Sequence, residues 1–460
     1  MLRIDTGRSE SYCDGLRRRS FLQLGIAGMS SVSLGNILRA KEYSAKSTGK
    51  QKDTSAILIW LDGGPGHLDL YDLKPHAPAE IRGIWQPIRT NVPGIEISEL
   101  FPRQAQVADK FSIVRSLYHN TGDHFAGGHR MLTSKNMGVS GGNNSGKFPS
   151  IGSIVAQQRG SRQHGMPAYA SVPNASSIGL NPGYFAGNWL GPQYDPFQTG
   201  GDPNNKDFTV QNLALTKGLS IERLEDRRQL NEQLDNLKRH AEGNKTFEVL
   251  DEFDRDAFEF VSGSRARNAF DINQETTEVR DLYGRHSWGQ SVLLARRLVE
   301  AGSTFVTVHF GGWDHHWNLQ SGMESCLPRV DSAVAALFSD LDQRGMLDTT
   351  LVILCGEFSR TPRMNNGGNG GPPLSKGTPG RDHWGASMFC LLGGGGVRGG
   401  QIVGSTDDKG YRPKTRAVQP SNIHATIYRA LGIDPSLQLI DHRGRPTPVL
   451  EDPAPIHELL

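Results

Sequence analysis

The chain has 460 residues, with 50 Lys+Arg against 48 Asp+Glu and 36% hydrophobic content, enough for a large buried core in a folded protein. A formal charge of +2 argues against a nucleic-acid partner held by a broad basic surface, the more so because residues 1–40 carry six Arg against three acids. Cysteines at 13, 326, 355 and 390 are too few and too scattered for a disulfide framework or zinc knuckle, and they read as buried small hydrophobes.

Residues 17–23 read RRRSFLQ and lead into LGIAGMSSVSLGNIL. A basic run ahead of a short, weakly apolar segment is the pattern of an export signal, and Arg18-Arg19 before Ser-Phe-Leu resembles the twin-arginine type. The apolar part is too short and too broken by Gly and Ser to span a bilayer. Residues 1–40 are therefore expected to be a signal directing the chain to the periplasm or beyond, and 41–54, polar and unpatterned, a linker. AILIWL at 56–61 and FSIVRSL at 111–117 are continuous apolar runs, expected as buried parallel strands. A helix over 152–158 and a strand over 167–173 come next. The charged amphipathic stretch at 217–282 is expected as a helical insertion. Helix 289–301, strand 303–310, helix 328–345, strand 349–356, a strand in ASMFCLLGG and helix 420–432 complete the order. GGNNSGKF at 141–148 lacks the hydroxyl that a P-loop needs after its Lys, and reads as a loop. Strands alternating with helices predict an α/β fold, a three-layer α/β/α with a mainly parallel sheet, over residues 55–460.

In such a sheet, ligands lie beyond the carboxyl ends of the strands. Asp62 follows the first strand. Asn120, Asp123, His124 and His129 follow the second. Asp314 and His316 follow strand 303–310, Glu357 follows strand 349–356, and Asp382 and His383 lie past a Gly-rich loop. Carboxylates and imidazoles at five strand ends or adjoining loops make the composition of a one- or two-metal site. In extended chain Asp314 and His316 share a side while His315 faces away. Arg360 and Arg363 could present a planar fork to an anionic ester. Trp313, Trp317 and Trp384 flank these residues, either walling a sugar cleft or shielding the site from water.

LDGGPGHLDLYDLKP, SLYHN with DHFAGGHRMLTS, LLARRLVEAG, GGWDHHWN, GEFSRTPRMN, GRDHWG and IHATIYRALGIDPS with DHRGRPTPVL resemble, in family order over roughly 55–458, the bacterial family termed domain of unknown function 1501. That family is similar to the alkaline phosphatase/sulfatase superfamily and often carries a twin-arginine signal. The resemblance implies an alkaline phosphatase-like fold and a metal set of Asp62, Asp314, His316, Glu357 and His383, with Asp382 as ligand or orienting partner. His124 stands where the superfamily keeps its nucleophile, with Asp123 and Thr121 beside it as the other catalytic candidates. Arg360, Arg363, His129 and Asn120 are the substrate-binding candidates. No Cys-x-Pro-x-Arg occurs, which excludes a formylglycine sulfatase. As a neutral imidazole His124 would take a proton from attacking water or ligate a metal.

The expected activity is metal-dependent hydrolysis of a phosphate or sulfate ester, of a small molecule or a polysaccharide, with zinc, manganese or calcium as the ion. The alternative is a non-catalytic exported protein that keeps the fold and binds glycan or a partner. Export is directly testable. Replacing Arg18 and Arg19 with Lys is expected to retain the chain in the cytoplasm, read by fractionation, and unchanged export would refute the signal.

Overall fold

The computed structural model describes residues 53–136, 148–210, 258–260, 263–365 and 379–460. The expected signal, most of the linker, the GGNNSGK run and residues 217–257 of the expected insertion lie outside the described residues. Among the described residues no helix is long and apolar enough to cross a membrane.

Among the described residues, eight strands form the central sheet: β1 (Ser55–Leu61), β2 (Phe111–Leu117), β3 (Tyr169–Val172), β4 (Phe197–Gln198), β5 (Phe305–Phe310), β6 (Thr350–Cys355), β7 (Met388–Gly393) and β8 (Ile402–Val403). Their spatial order is β8-β2-β7-β6-β1-β5-β3-β4. β1 is a continuous apolar run because it lies centrally, parallel to both β5 and β6, with Ile57 opposite Val306 on one side and Val352 on the other. Only β7 runs against its neighbours β6 and β2. The edge strands β4 and β8 have two residues each, below any periodic signal, and the sequence pattern does not show them.

Among the described residues, five helices cover the sheet: α1 (His124–Thr133), α2 (Ile151–Arg159), α3 (Ser287–Ala301), α4 (Leu319–Gln343) and α5 (Pro420–Ala430). β1 deals alternate residues to two cores. Ile57, Ile59 and Leu61 pack with Leu298 of α3 and Leu337 of α4, whereas Ala56, Leu58 and Trp60 pack with Leu132 of α1, Val155 of α2 and Ile427 of α5. This is the three-layer α/β/α arrangement expected from the alternating pattern.

Two elements depart from expectation. The DHFAGGH segment, for which no helix is expected from the sequence, is helix α1, and its mid-helix glycines serve close packing. A Cβ at Gly127 would lie 2.9 Å from the Glu357 carbonyl oxygen, and one at Gly128 would lie 2.5 Å from the Tyr184 ring. Helix α4 begins at Leu319 rather than 328 and holds Pro328 inside it. The buried stripe Leu319, Met323, Cys326, Leu327 and Val330 recurs at helical spacing, so burial outweighs the interior proline. At the end of the charged segment, Ser264–Phe270 and Thr277–Tyr283 are short helices whose Ala266, Ala269, Phe270 and Tyr283 join the α3/α4 core.

Buried neutral histidines tie the loops to this frame. His67 Nδ1 meets Ser359 Oγ at 2.7 Å and Nε2 meets the Gly410 carbonyl at 2.9 Å; His424 Nε2 meets the Met131 carbonyl at 2.7 Å. Burial depresses both imidazoles to about 4. A base with a depressed folded pKa contributes stability above its ordinary value near 6.5 that is lost as pH falls toward 4, on the order of 3 kcal/mol each at most. The melting temperature is therefore expected to fall steadily between pH 6.5 and 4.5. His424→Gln, which keeps a donor toward Met131, should flatten that fall; an unchanged slope would contradict the assignment.

Candidate functional site

Every parallel strand ends at one edge of the sheet, and the turns there are tight. After β1, Gly63 adopts φ 113°, and its N–H donates to Glu357 Oε1 at 2.8 Å. A Cβ at Gly63 would lie 2.8 Å from the Asp314 nitrogen, so the loops after β1 and β5 touch backbone to backbone. Because β7 is antiparallel, the residues that precede it, Arg381, Asp382 and His383, reach this same edge. Arg381 is fully buried and grips Asp69 through Nε–Oδ2 at 2.9 Å and NH2–Oδ1 at 3.1 Å, fixing where His383 emerges.

Asp314 is the centre of the cluster. Its Oδ1 lies 3.0 Å from His316 Nε2, 3.1 Å from His383 Nε2 and 2.5 Å from Arg360 NH2, and its Oδ2 lies 3.5 Å from His124 Nε2. The two nitrogens His316 Nε2 and His383 Nε2 are 2.9 Å apart. His124, Asp314 and His383 each offer a ligand atom within 4.8 Å of the others, the spacing of a metal-holding group. On the far side of each ring, Nδ1 meets an oxygen: Glu357 Oε1 at 2.7 Å for His124, Asp382 Oδ1 at 2.9 Å for His316, and the Gly122 carbonyl at 2.6 Å for His383. Carboxylates and carbonyls only accept, so each Nδ1 carries the hydrogen and, in a neutral ring, Nε2 keeps its lone pair. Three imidazoles so anchored, with Nε2 turned toward one carboxylate, have the outer-partner pattern of metal-ligating histidine. The residues present fit a divalent ion.

The charges reflect this crowding. Burial opposes the charge of Asp314, yet the three imidazoles and Arg360 hold it far below the usual carboxylate range. Burial would lower His124, but hydrogen bonds and charge from Asp314 and Glu357 push it up to about 9. With the protein's own charges alone, His124 is protonated at neutral pH, unlike the neutral ring expected from the sequence. His316 is raised by Asp314, while burial lowers His383. Glu357 is fully buried, which raises its carboxyl, and among the described residues its Oε2 has no hydrogen-bond partner. Phe358 packs against the rings of His383 and His124, with centroids at 4.4 and 4.8 Å.

Several other sequence candidates lie elsewhere. Asp62 points to the loop after β3: Ser177 Oγ donates to Oδ1 at 2.6 Å, Ile178 N–H donates to Oδ2 at 2.7 Å, and His309 Nε2 lies 3.2 Å from Oδ2. Burial opposes its charge, but His309, Ser177 and Ile178 hold it below the usual range. Asp123 caps α1, accepting from the Ala126 N–H at 2.8 Å, and Thr121 Oγ1 accepts from the Asp123 N–H at 3.2 Å. His129 is buried beside Lys135 and Thr133, away from the cluster. Arg360 is also buried, with donors engaged by the Gly63, Gly64 and Arg381 carbonyls and by Asp314, so it braces the loops instead of presenting a fork. Asn120 and Arg363 are exposed. Trp313 is buried on Trp288, Trp317 stacks on His316, and Trp384 donates to the Tyr411 carbonyl. His309 and Ser177 were not anticipated. His309 sits within strand β5, where alternation hides it, and Ser177 lies in a loop without pattern.

Zinc or manganese is expected to raise the melting temperature, by about 2.7 kcal/mol of stability at a hundredfold excess over Kd. Asp314→Asn should remove most of that gain. No gain in the parent, together with no metal by elemental analysis, would refute the site.

No curated protein matches the sequence. Among solved structures, the chain is similar to the lipoteichoic acid synthase LtaP from Listeria monocytogenes, at 10% identity over 90% of this chain and 81% of that one, TM-score 0.40. It is similar to a protein in the alkaline phosphatase superfamily from Vibrio parahaemolyticus, at 10% identity over 87% and 75%, TM-score 0.36. It is also similar to the alkaline phosphatase from the Antarctic bacterium TAB5, at 12% identity over 83% and 99%, TM-score 0.35. The model of the family described as Protein of unknown function (DUF1501) matches residues 53–460, and the chain belongs to that family.

Proposed function

We propose that this chain is an exported metal-dependent hydrolase of a phosphate or sulfate ester, such as that of a polysaccharide, with residues 55–460 as its working unit. The observation that carries this reading is the donor set: three imidazoles, each held at Nδ1 by an oxygen acceptor, turn Nε2 toward Asp314. Asp314, His316 and His383 would hold the ion, with Asp382 and the Gly122 carbonyl orienting the two rings. A bound divalent ion would polarise the ester oxygen, lower the pKa of water and offset the carboxylate charge that keeps His124 protonated.

The remaining work falls to the chain itself. His124 takes the proton of an attacking water at Nε2, while Glu357 Oε1 holds its Nδ1–H at 2.7 Å and fixes the ring. Gly63 N–H on the same Oε1 keeps Glu357 in place. Phe358 packs against both imidazoles at a tilt and steadies them from the side of the loop after β6. Asp62, bound by Ser177, Ile178 and His309, fixes the β1 turn that carries Gly63.

A second reading, a non-catalytic exported protein that binds glycan or a partner, draws on one observation: the guanidinium that touches Asp314 is spent on backbone carbonyls. A panel of chromogenic phosphate and sulfate esters with zinc, manganese or calcium separates the two. The hydrolase reading expects turnover that a chelator abolishes; bound metal with no turnover on any ester leaves the binding protein. Where turnover is found, His124→Ala should lower kcat by about 10²- to 10⁴-fold with the melting temperature nearly unchanged. Retained kcat would remove His124 from the mechanism.

A further inference from the structure

Cys355 ends β6, two residues before Glu357, and Cys390 lies in β7. The antiparallel register pairs Gly393 with Val352, Leu392 with Ile353 and Leu391 with Leu354, so the next step places Cys390 opposite Cys355. Alternation along the two strands agrees. Leu354 and Leu391 face the α3/α4 core, whereas Cys355 and Cys390 both enter the core shared by α1, α2 and α5. Both are free thiols, Cys390 fully buried and Cys355 nearly so. Burial, with the Cys355 thiol beside it, pushes the Cys390 thiol well above its ordinary range.

We propose that Cys355 and Cys390 form an oxidisable pair whose disulfide staples the candidate site. Directly opposed residues on antiparallel strands hold their Cα atoms about 4.5–5.5 Å apart, inside the range a disulfide spans. The segment closed by the bond, 356–389, carries Glu357, Arg360, Arg381, Asp382 and His383. Tying its ends restricts the unfolded chain and steadies the loops that bring these groups to the sheet edge. The chemistry balances with a small-molecule disulfide as oxidant. One cysteine thiolate attacks it, forms a mixed disulfide and releases one small thiol. The second cysteine attacks the protein sulfur, forms the Cys355–Cys390 bond and expels the second thiol, so two electrons and two protons leave with the small thiols. Buried thiols react slowly in the closed sheet, so the bond forms as β6 and β7 pair during folding or when they part transiently.

The test uses the full chain, refolded with oxidised glutathione and compared with a thiol-reduced sample. Peptide mapping without reduction is expected to recover one crosslinked pair containing Cys355 and Cys390. The melting temperature should rise by about 5 °C relative to the reduced protein. Cys390→Ala and Cys355→Ala should each abolish the crosslink and the rise, and Cys326→Ser should keep both. Should either variant fail to fold, mapping of the parent chain still decides. Free thiols at both positions in the oxidised sample, or a crosslink that leaves the melting temperature unmoved, would overturn the proposal.

Discussion

One carboxylate organises the site. Asp314 is approached by three imidazole nitrogens and a buried guanidinium, and each approaching group belongs to a different loop. The loops after β2, β5 and β6 and the segment before β7 all end there, so the charge of Asp314 fixes their mutual positions. Arg360 satisfies part of that charge from beneath while donating to Gly63 and Gly64, which couples the β1 turn to the same centre. A buried ion pair of this kind is weak evidence for stability by itself, but breaking one side of it leaves an uncompensated charge. Loss of Asp314 would thus release several loops together.

The reversed direction of β7 gives the arrangement its economy. A parallel strand at that place would bring only its C-terminal flank to this edge, whereas an antiparallel one brings its N-terminal flank. Asp382 and His383 reach the edge for that reason, and the Arg381–Asp69 pair anchors them from the side of the sheet where β1 ends. His383 then donates to the Gly122 carbonyl, so the segment before β7 is clamped against the segment before α1. A Cβ at Gly122 would lie 3.3 Å from His383 Cβ, which limits that position to a small residue.

Much of this was legible in the chain, and the parts that were not have physical reasons. β1 and β2 are legible because burial on both faces writes an uninterrupted apolar run. Asp314, His316 and Glu357 stand out because they follow such runs within a few residues, and His383 because it comes just past a Gly-rich loop. Helix α1 was hidden by Gly127 and Gly128, whose helix propensity is poor and whose purpose is contact with Glu357 and Tyr184. Once α1 is known, His124 and His129 separate by simple geometry: five residues on a helix is about 140° of rotation, so they cannot face one site. Asp62 is diverted by donors from Ser177 and Ile178, more than a hundred residues away and in a turn without pattern. Arg360 reads as a planar fork for an anionic ester, yet its long side chain runs inward to three backbone carbonyls.

The charge state of His124 is set by two carboxylates, Glu357 and the Asp314 that gathers the loops. Its ring sits in the first turn of α1, where the helix dipole disfavours a cation by about 0.3–1 kcal/mol, and its partial burial disfavours one further. Both forces act to keep the ring neutral. It is protonated at neutral pH only because Asp314 and Glu357 flank it, one at each nitrogen. The proton is therefore held by the carboxylates and not by the surrounding fold. Positive charge placed near Asp314 weakens that hold, leaving Glu357 alone against the dipole and burial. Neutralising Asp314 therefore shifts the ring toward its neutral form, the direction that the proposed proton acceptor needs.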